Sequence, residues 1–270
     1  MKKVICKIEE DYNKFLISFI LIKEKGKSFN IVDRIPVSIN KNSLLNNKEI
    51  KEIVYMINKS LTNHKFQNSN CIIGLNSFKT IRDEFVYPKI SINELKKVVK
   101  LEISKRYGDQ GKIYNKISKE EDKIKSNVII ITSDITTLID ELFNQIKLKV
   151  KKILFYPESL DNYINNHIDN SNYFFLYEGN DYYIMNVVIN NSIKYSSTQS
   201  KSEKLITKLM SIYGFYSHEL DNKIYVSLST ETGLEEIESL ELKKYDILPN
   251  KQLEIESLVS RYVRNDYERL

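Results

Sequence analysis

One order of hydrophobic segments occurs twice in this chain of 270 residues, and that repetition limits the topologies open to it. Residues 4–8, 15–23 and 29–39 read as three consecutive strands joined by short turns. Residues 48–61 then place Ile50, Ile53, Val54, Ile57 and Leu61 on one helical face. Residues 70–75 are nearly all apolar, as a strand buried on both faces must be. The second half repeats the order. Strands are expected over 173–177, 182–189 and 192–198, a helix over 202–213, a buried strand over 223–228 and a helix over 230–240. Asn190-Asn191 is the type I′ signal for a two-residue hairpin. A last helix is expected over 253–267.

Between the copies lies a segment of different character. Residues 80–87 read as a strand, which Pro88 ends because proline has no N–H for a ladder. Ser91 is positioned as an N-cap with Glu94 three residues on, a capping box. Ile92, Leu95, Val99 and Ile103 form the stripe expected to be buried, and Gly108 is the expected stop. Strands over 112–117 and 127–133 and a helix over 136–150 complete an α+β subdomain. A strand over 152–156 and a helix over 157–168 lead into the second half. The expected division is 1–79 for a first core, 80–152 for the inserted subdomain and 153–270 for a second core, with a helix within 153–170 packing on the first.

Composition excludes several classes. Hydrophobic residues make up 41% and charged residues 29%, enough apolar side chain for a sizeable core. The net charge of +5 is spread along the chain, where a nucleic-acid surface calls for a concentrated basic stripe. The densest basic run, residues 147–152, reads as a helix end whose cations complement the dipole; contact with an anionic membrane surface is the sharper alternative. Cys6 and Cys71 sit in apolar runs and read as buried thiols in a reducing compartment. Acidic residues 9–11 interrupt any signal-peptide core, and the apolar run 15–22 is too short to span a bilayer. The chain is therefore expected neither to enter nor to cross a membrane by itself. Gly26-Lys27-Ser28 lacks the upstream glycine of a phosphate loop, and His64, His167 and His218 are isolated. No catalytic residue and no metal ligand set is expected.

Two copies of a β-β-β-α-β unit point to an α/β, actin-like fold: a duplicated ribonuclease-H-like core, with an inserted α+β subdomain in the first half. The block from Cys71 to Gly108, with its strand, Arg82, Pro88, Glu94-Leu95 helix and Arg106-Tyr107, resembles the middle of the type IV pilus assembly protein PilM family. The cytoplasmic domain of the type II secretion protein GspL is similar. Set beside that family, the second half is expected to have a reduced or absent lid, since only a helix over 202–213 and a loop to Asp221 fill the interval where the family has a small subdomain. In such folds, nucleotide binding rests on Asp-x-Gly hairpins and a Gly-Gly turn. Here the first hairpin offers Glu9 and Asp11 without glycine. The second offers Glu178 and Gly179, with Tyr177 in the acid's place, and the last turn offers Leu228-Ser229. The resemblance thus implies a degenerate nucleotide site with no cofactor. It implies a non-catalytic cytoplasmic scaffold at the inner face of the cell membrane, which binds the N-terminal cytoplasmic peptide of a PilN-like single-pass partner. Motor ATPases are further candidate partners, nucleic acid is not, and membrane association comes through the partner. Tyr87, Pro88 and Ile90 are the expected wall of the peptide groove. The alternatives are an actin-like ATPase with atypical loops, which would take ATP and Mg²⁺, and a ribonuclease-H-like nuclease holding metals on Glu9, Asp11 and Glu178.

Overall fold

The computed structural model describes residues 1–10, 13–25, 28–42, 47–76, 80–108, 111–119, 121–166, 168, 171–179, 182–201, 205–220, 223–227, 243–246, 257–258 and 268–269. In chain order the elements are β1 (Lys2–Glu10), β2 (Lys14–Lys25), β3 (Ser28–Asn40), α1 (Asn47–Asn63), β4 (Asn70–Asn76), β5 (Ile81–Pro88), α2 (Ile92–Tyr107), β6 (Gly111–Lys119) and β7 (Lys123–Thr132). They continue with α3 (Ser133–Phe143), β8 (Lys149–Phe155), α4 (Tyr156–Asn165), β9 (Tyr173–Glu178), β10 (Tyr182–Ile189), β11 (Ser192–Ser200), α5 (Leu205–Tyr216), β12 (Lys223–Ser227), β13 (Lys243–Asp246) and β14 (Glu268–Arg269). The chain divides into two compact units. One takes Met1–Ile73, Lys79–Ile153 and Arg264–Leu270, the other Gly74–Phe78 and Leu154–Val263.

The repetition in the sequence becomes a repetition of topology. One five-stranded sheet has the order β3-β2-β1-β4-β8 and the other β11-β10-β9-β12-β13. Each is an antiparallel meander of three strands, extended beyond its first strand by two later ones. In the second sheet those later strands run parallel, β12 beside β9 and β13 beside β12. This duplicated α/β core is the actin-like fold. Between β11 and β12 the described residues hold one helix, α5.

Burial follows the residue patterns. Ile50, Ile57 and Leu61 of α1 are buried, as are Cys6 and Cys71, both free thiols. In the second sheet Phe174, Leu176, Met185 and Val187 share a face with Leu209, Ile212 and Tyr213 of α5. Residues of opposite parity meet α4: the Tyr173 hydroxyl donates to Asp161 Oδ1 at 2.5 Å, and Asn186 Nδ2 donates to the Pro157 carbonyl at 2.9 Å. Asn190 and Asn191 have φ of 52° and 56°, the left-handed pair that a type I′ turn requires. A Cβ on Gly74 would come within 2.5 Å of Leu258 and 2.6 Å of Tyr156, so this strand accepts only glycine against those side chains.

The subdomain is a four-stranded sheet of order β14-β6-β7-β5. Its core joins Phe85, Ile124, Val128 and Ile130 to Leu95, Val99 and Ile103 of α2. Ser91 caps α2 with a complete capping box, and the Gly108 N–H closes the helix on the Ser104 carbonyl with φ 69°. Ile92 departs from expectation. It is 44% exposed, because the first turn of α2 extends past the edge of the stripe that meets the sheet.

Helix boundaries also differ from the sequence reading. The helix expected over 136–150 starts earlier, at Ser133, and stops at Phe143. Asn58 of α1 pins the residues just beyond it: the Asn58 Nδ2 donates to the Gln145 carbonyl, and its Oδ1 accepts from the Lys147 N–H. The basic run is therefore not a helix end. Lys149 and Lys151 are exposed on β8, an edge strand, where lysines oppose pairing with a foreign strand. The helix expected to run to 168 ends at Asn165. The turn at 26–27, the helix expected over 230–240 and His167 lie outside the described residues, as does most of the helix expected over 253–267. Among the described residues no helix is long and apolar enough to cross a membrane.

Candidate functional site

The hairpin β1–β2 begins with a strand whose alternation decides which acid turns inward. Ile8 and Glu10 lie two apart on one face, and both are buried. Glu9 faces the other way and pairs with Lys7 at 3.4 Å. A buried carboxylate is costly unless it is paired. Lys41, the residue after β3, supplies a charge: its Nζ donates to Glu10 Oε1 at 2.6 Å. The same ammonium lies 5.2 Å from the centroid of the Phe15 ring, and Phe15 is the residue opposite Glu10 in the β1–β2 register.

The hairpin β9–β10 is built the same way. Glu178 ends β9 and is buried. Lys201, the residue after β11, donates from Nζ to Glu178 Oε1 at 2.8 Å. That ammonium lies 5.6 Å from the ring of Tyr183, which is opposite Glu178 in the β9–β10 register. Gly179 also has an internal explanation. Its N–H donates to the Tyr182 carbonyl, and a Cβ there would lie 2.3 Å from the buried Tyr182 ring. The ring covers the Cα at the point where a phosphate-binding glycine must be open.

These two hairpins decide how well the described residues fit a metal-bound nucleotide. Such a ligand needs a carboxylate free to hold a hydrated Mg²⁺ and backbone that a phosphate can approach. Glu10 and Glu178 are each joined to a lysine, and Gly179 is covered by an aromatic ring. The described residues do not fit the ligand. Among them no group of three or more His, Cys, Asp or Glu is placed to hold a metal ion. Asp11 and Ser229, the other positions singled out in the sequence, lie outside the described residues. His64 is not isolated, since its Nε2 lies 3.1 Å from Asp33 Oδ2.

The familiar block of the subdomain is organised around Asp83 on β5. Arg106 Nη1 and the Tyr107 hydroxyl both donate to Asp83 Oδ2, at 2.9 and 2.8 Å. The Arg106 guanidinium lies 4.8 Å from the Phe85 ring, and Phe85 stacks on Tyr87. Partial burial, with the Asp83 carboxylate as acceptor, pushes the Tyr107 phenol up; burial and nearby Glu102 do the same for Tyr87. The Arg-Tyr pair thus fastens the end of α2 to the first residues of β5. Tyr87 and Ile90 pack against the subdomain core, whereas Pro88 is exposed at the strand end. On the free edge of the sheet, Glu84 and Val86 are exposed too.

Lys41 and Lys201 were missed in the sequence because each lies outside the hairpin it serves. The sequence carried only a loose signal: Lys41 and Lys201 lie two and three residues past the expected ends of the third strands, and directly after those strands in the structure.

These features define a protein of the actin-like ATPase fold, with an α+β subdomain set into its first half. No protein-family model matches the sequence, and no characterised protein matches it by sequence comparison. Solved structures do. A chain of the PilM-PilN type IV pilus biogenesis complex is similar over 96% of this chain and 95% of its own, with a TM-score of 0.66 and 10% identity. The cytoplasmic domain of EpsL, an inner membrane component of the type II secretion system of Vibrio cholerae, is similar over 95% and 94%, with a TM-score of 0.58 and 10% identity. A Bacteroides thetaiotaomicron protein with an actin-like ATPase fold and unknown function is similar over 94% and 95%, with a TM-score of 0.52 and 13% identity. At these identities the likeness shows the fold.

Proposed function

We propose that this chain is a non-catalytic, actin-like scaffold of a type IV pilus or related secretion machine. It works at the cytoplasmic face of the cell membrane and binds the N-terminal cytoplasmic peptide of a single-pass partner of PilN type. Two of the similar structures come from such machines, one of them in complex with PilN. The observation that carries the reading is β5. It is an edge strand of eight residues in the inserted subdomain, with Glu84, Val86 and Pro88 exposed along it. An extended peptide adds to such an edge through main-chain bonds, while alternate side chains set specificity. Tyr87 and Ile90, held by the core, fix the strand end, and Pro88 limits how far a peptide can pair. Pilus motor ATPases are further partners on this reading.

The test uses a labelled synthetic peptide copying the cytoplasmic tail of a single-pass membrane protein encoded beside this chain. Fluorescence anisotropy is expected to give micromolar binding that Val86→Glu abolishes. No binding at high micromolar peptide overturns the proposal. The ATPase alternative predicts that a fluorescent ATP analogue with Mg²⁺ binds in the micromolar range, and such binding overturns the non-catalytic part.

A further inference from the structure

The two glutamate–lysine pairs are one device built twice. In each half the acid is the last residue of the first strand, Glu10 of β1 and Glu178 of β9. The ring belongs to the second residue of the second strand, Phe15 of β2 and Tyr183 of β10. The lysine follows the last residue of the third strand, and that last residue lies opposite the first residue of the second: Asn40 faces Lys14, and Ser200 faces Tyr182. Every member is equivalent by register. The geometry also explains the residue types. The third strand is two sheet spacings, about 9.6 Å, from the first. Only a long side chain spans that distance, and its path crosses the second strand. The aromatic ring lies on that path, giving the stem an apolar surface and the ammonium a π face.

We propose that Lys41 and Lys201 are built-in counter-ions. Each ammonium neutralises the buried carboxylate of its own hairpin, at the end of the first strand of each meander. A tethered cation cannot be diluted away, so each hairpin is held by the chain itself and needs no external ligand. This rests on the non-catalytic reading, and the experiment keeps the two apart.

The test is a double-mutant cycle in each half, read as melting temperature by circular dichroism in EDTA. Lys41→Met and Lys201→Met keep the apolar stem and remove the charge. Each is expected to lower the melting temperature by about 5 °C, the effect of a charged hydrogen bond in a chain of this size. Glu10→Gln/Lys41→Met and Glu178→Gln/Lys201→Met remove the carboxylate charge as well and are expected to recover more than half of that loss. Should a single variant fail to fold, recovery of folding in its double variant carries the same conclusion. Melting unchanged by Lys→Met overturns the proposal, as do double variants as unstable as the sum of their singles. A magnesium-dependent rise in the wild type that Glu10→Gln and Glu178→Gln abolish overturns it too, because the carboxylates would then be open to metal. Binding of Mg²⁺ and the ATP analogue with the cycle intact sinks only the non-catalytic reading.

Discussion

Removing one buried hydroxyl gives a prediction whose size changes with pH in a calculable way. Tyr173 is fully buried, and its hydroxyl donates to Asp161, itself buried on α4. Tyr173→Phe keeps the ring against Tyr225, 5.7 Å away, and removes only the donor. A hydrogen bond to a charged group is worth about 2 kcal/mol. The variant is therefore expected to be less stable by about 2 kcal/mol at neutral pH, a fall of about 4–8 °C in melting temperature.

The pH dependence comes from the effect of burial and Asp161 on the phenol. Burial first, and then the neighbouring carboxylate, push its pKa far above the ordinary value of 10.0. The folded state thus holds the tyrosine proton where the unfolded chain releases it. The stabilisation is complete below pH 10 and is lost as pH rises above it, by about 1.4 kcal/mol per unit. Phenylalanine has no proton to lose. By about pH 11 the wild-type advantage is expected to shrink by more than half. The other tyrosines ionise alike in both proteins and cancel. Urea unfolding followed by circular dichroism suits a chain without tryptophan. Equal stabilities at neutral pH would refute the buried bond, and a gap that stays constant up to pH 11 would refute the raised phenol.

Ser91→Ala removes the side-chain half of the capping box, since the Ser91 hydroxyl accepts from the Glu94 N–H and also donates to Glu94 Oε2, while the backbone N–H of residue 91 keeps its bond to Glu94 Oε2. Hydrogen exchange in the first turn of α2 is expected to quicken roughly fivefold to tenfold. The Ser91 hydroxyl, then its backbone N–H, hold the Glu94 carboxyl below its usual range. That contribution is present at neutral pH and is lost as pH falls through the lowered value, so the wild-type advantage should shrink in acid to the part carried by the Glu94 N–H bond to the Ser91 hydroxyl. Burial pushes the thiols of Cys6 and Cys71 up, and their support for the fold is lost as pH rises above 9.0. At about pH 8 a disulfide reagent should label neither thiol faster than the core opens, and release of both within the mixing time would contradict their burial.

What could be read from the sequence was what local pattern decides. The meanders, the apolar β4, the capping box and the Asn-Asn turn all rest on interactions within a few residues. The end of α3 does not. Ile146 and Val150 continue its i, i+4 spacing, and only Asn58, far away on α1, shows where the helix stops. β13 reads Lys-Lys-Tyr-Asp and has too little apolar pattern to announce a strand. In the candidate site, period-two alternation would have favoured Glu10 over Glu9, because Glu10 shares a face with Ile8. Gly179 reads in the sequence as the surviving glycine of a degenerate nucleotide hairpin, whereas in the structure the Tyr182 ring accounts for it.

The paired lysines bear on what a scaffold of this fold needs. In a ligand-dependent core, the hairpins gain RT ln(1 + [L]/Kd) from their nucleotide, so their stability follows its concentration. An ammonium fixed to the neighbouring strand acts at an effective concentration set by its tether and independent of the surroundings. On the proposed reading, the exchange replaces a switch with a fixed brace. Each braced hairpin then has the same stability whether nucleotide is abundant or scarce. On that reading, the same neutralised carboxylates that make the described hairpins a poor fit for Mg²⁺ and phosphate would leave the stability of each hairpin independent of either ligand.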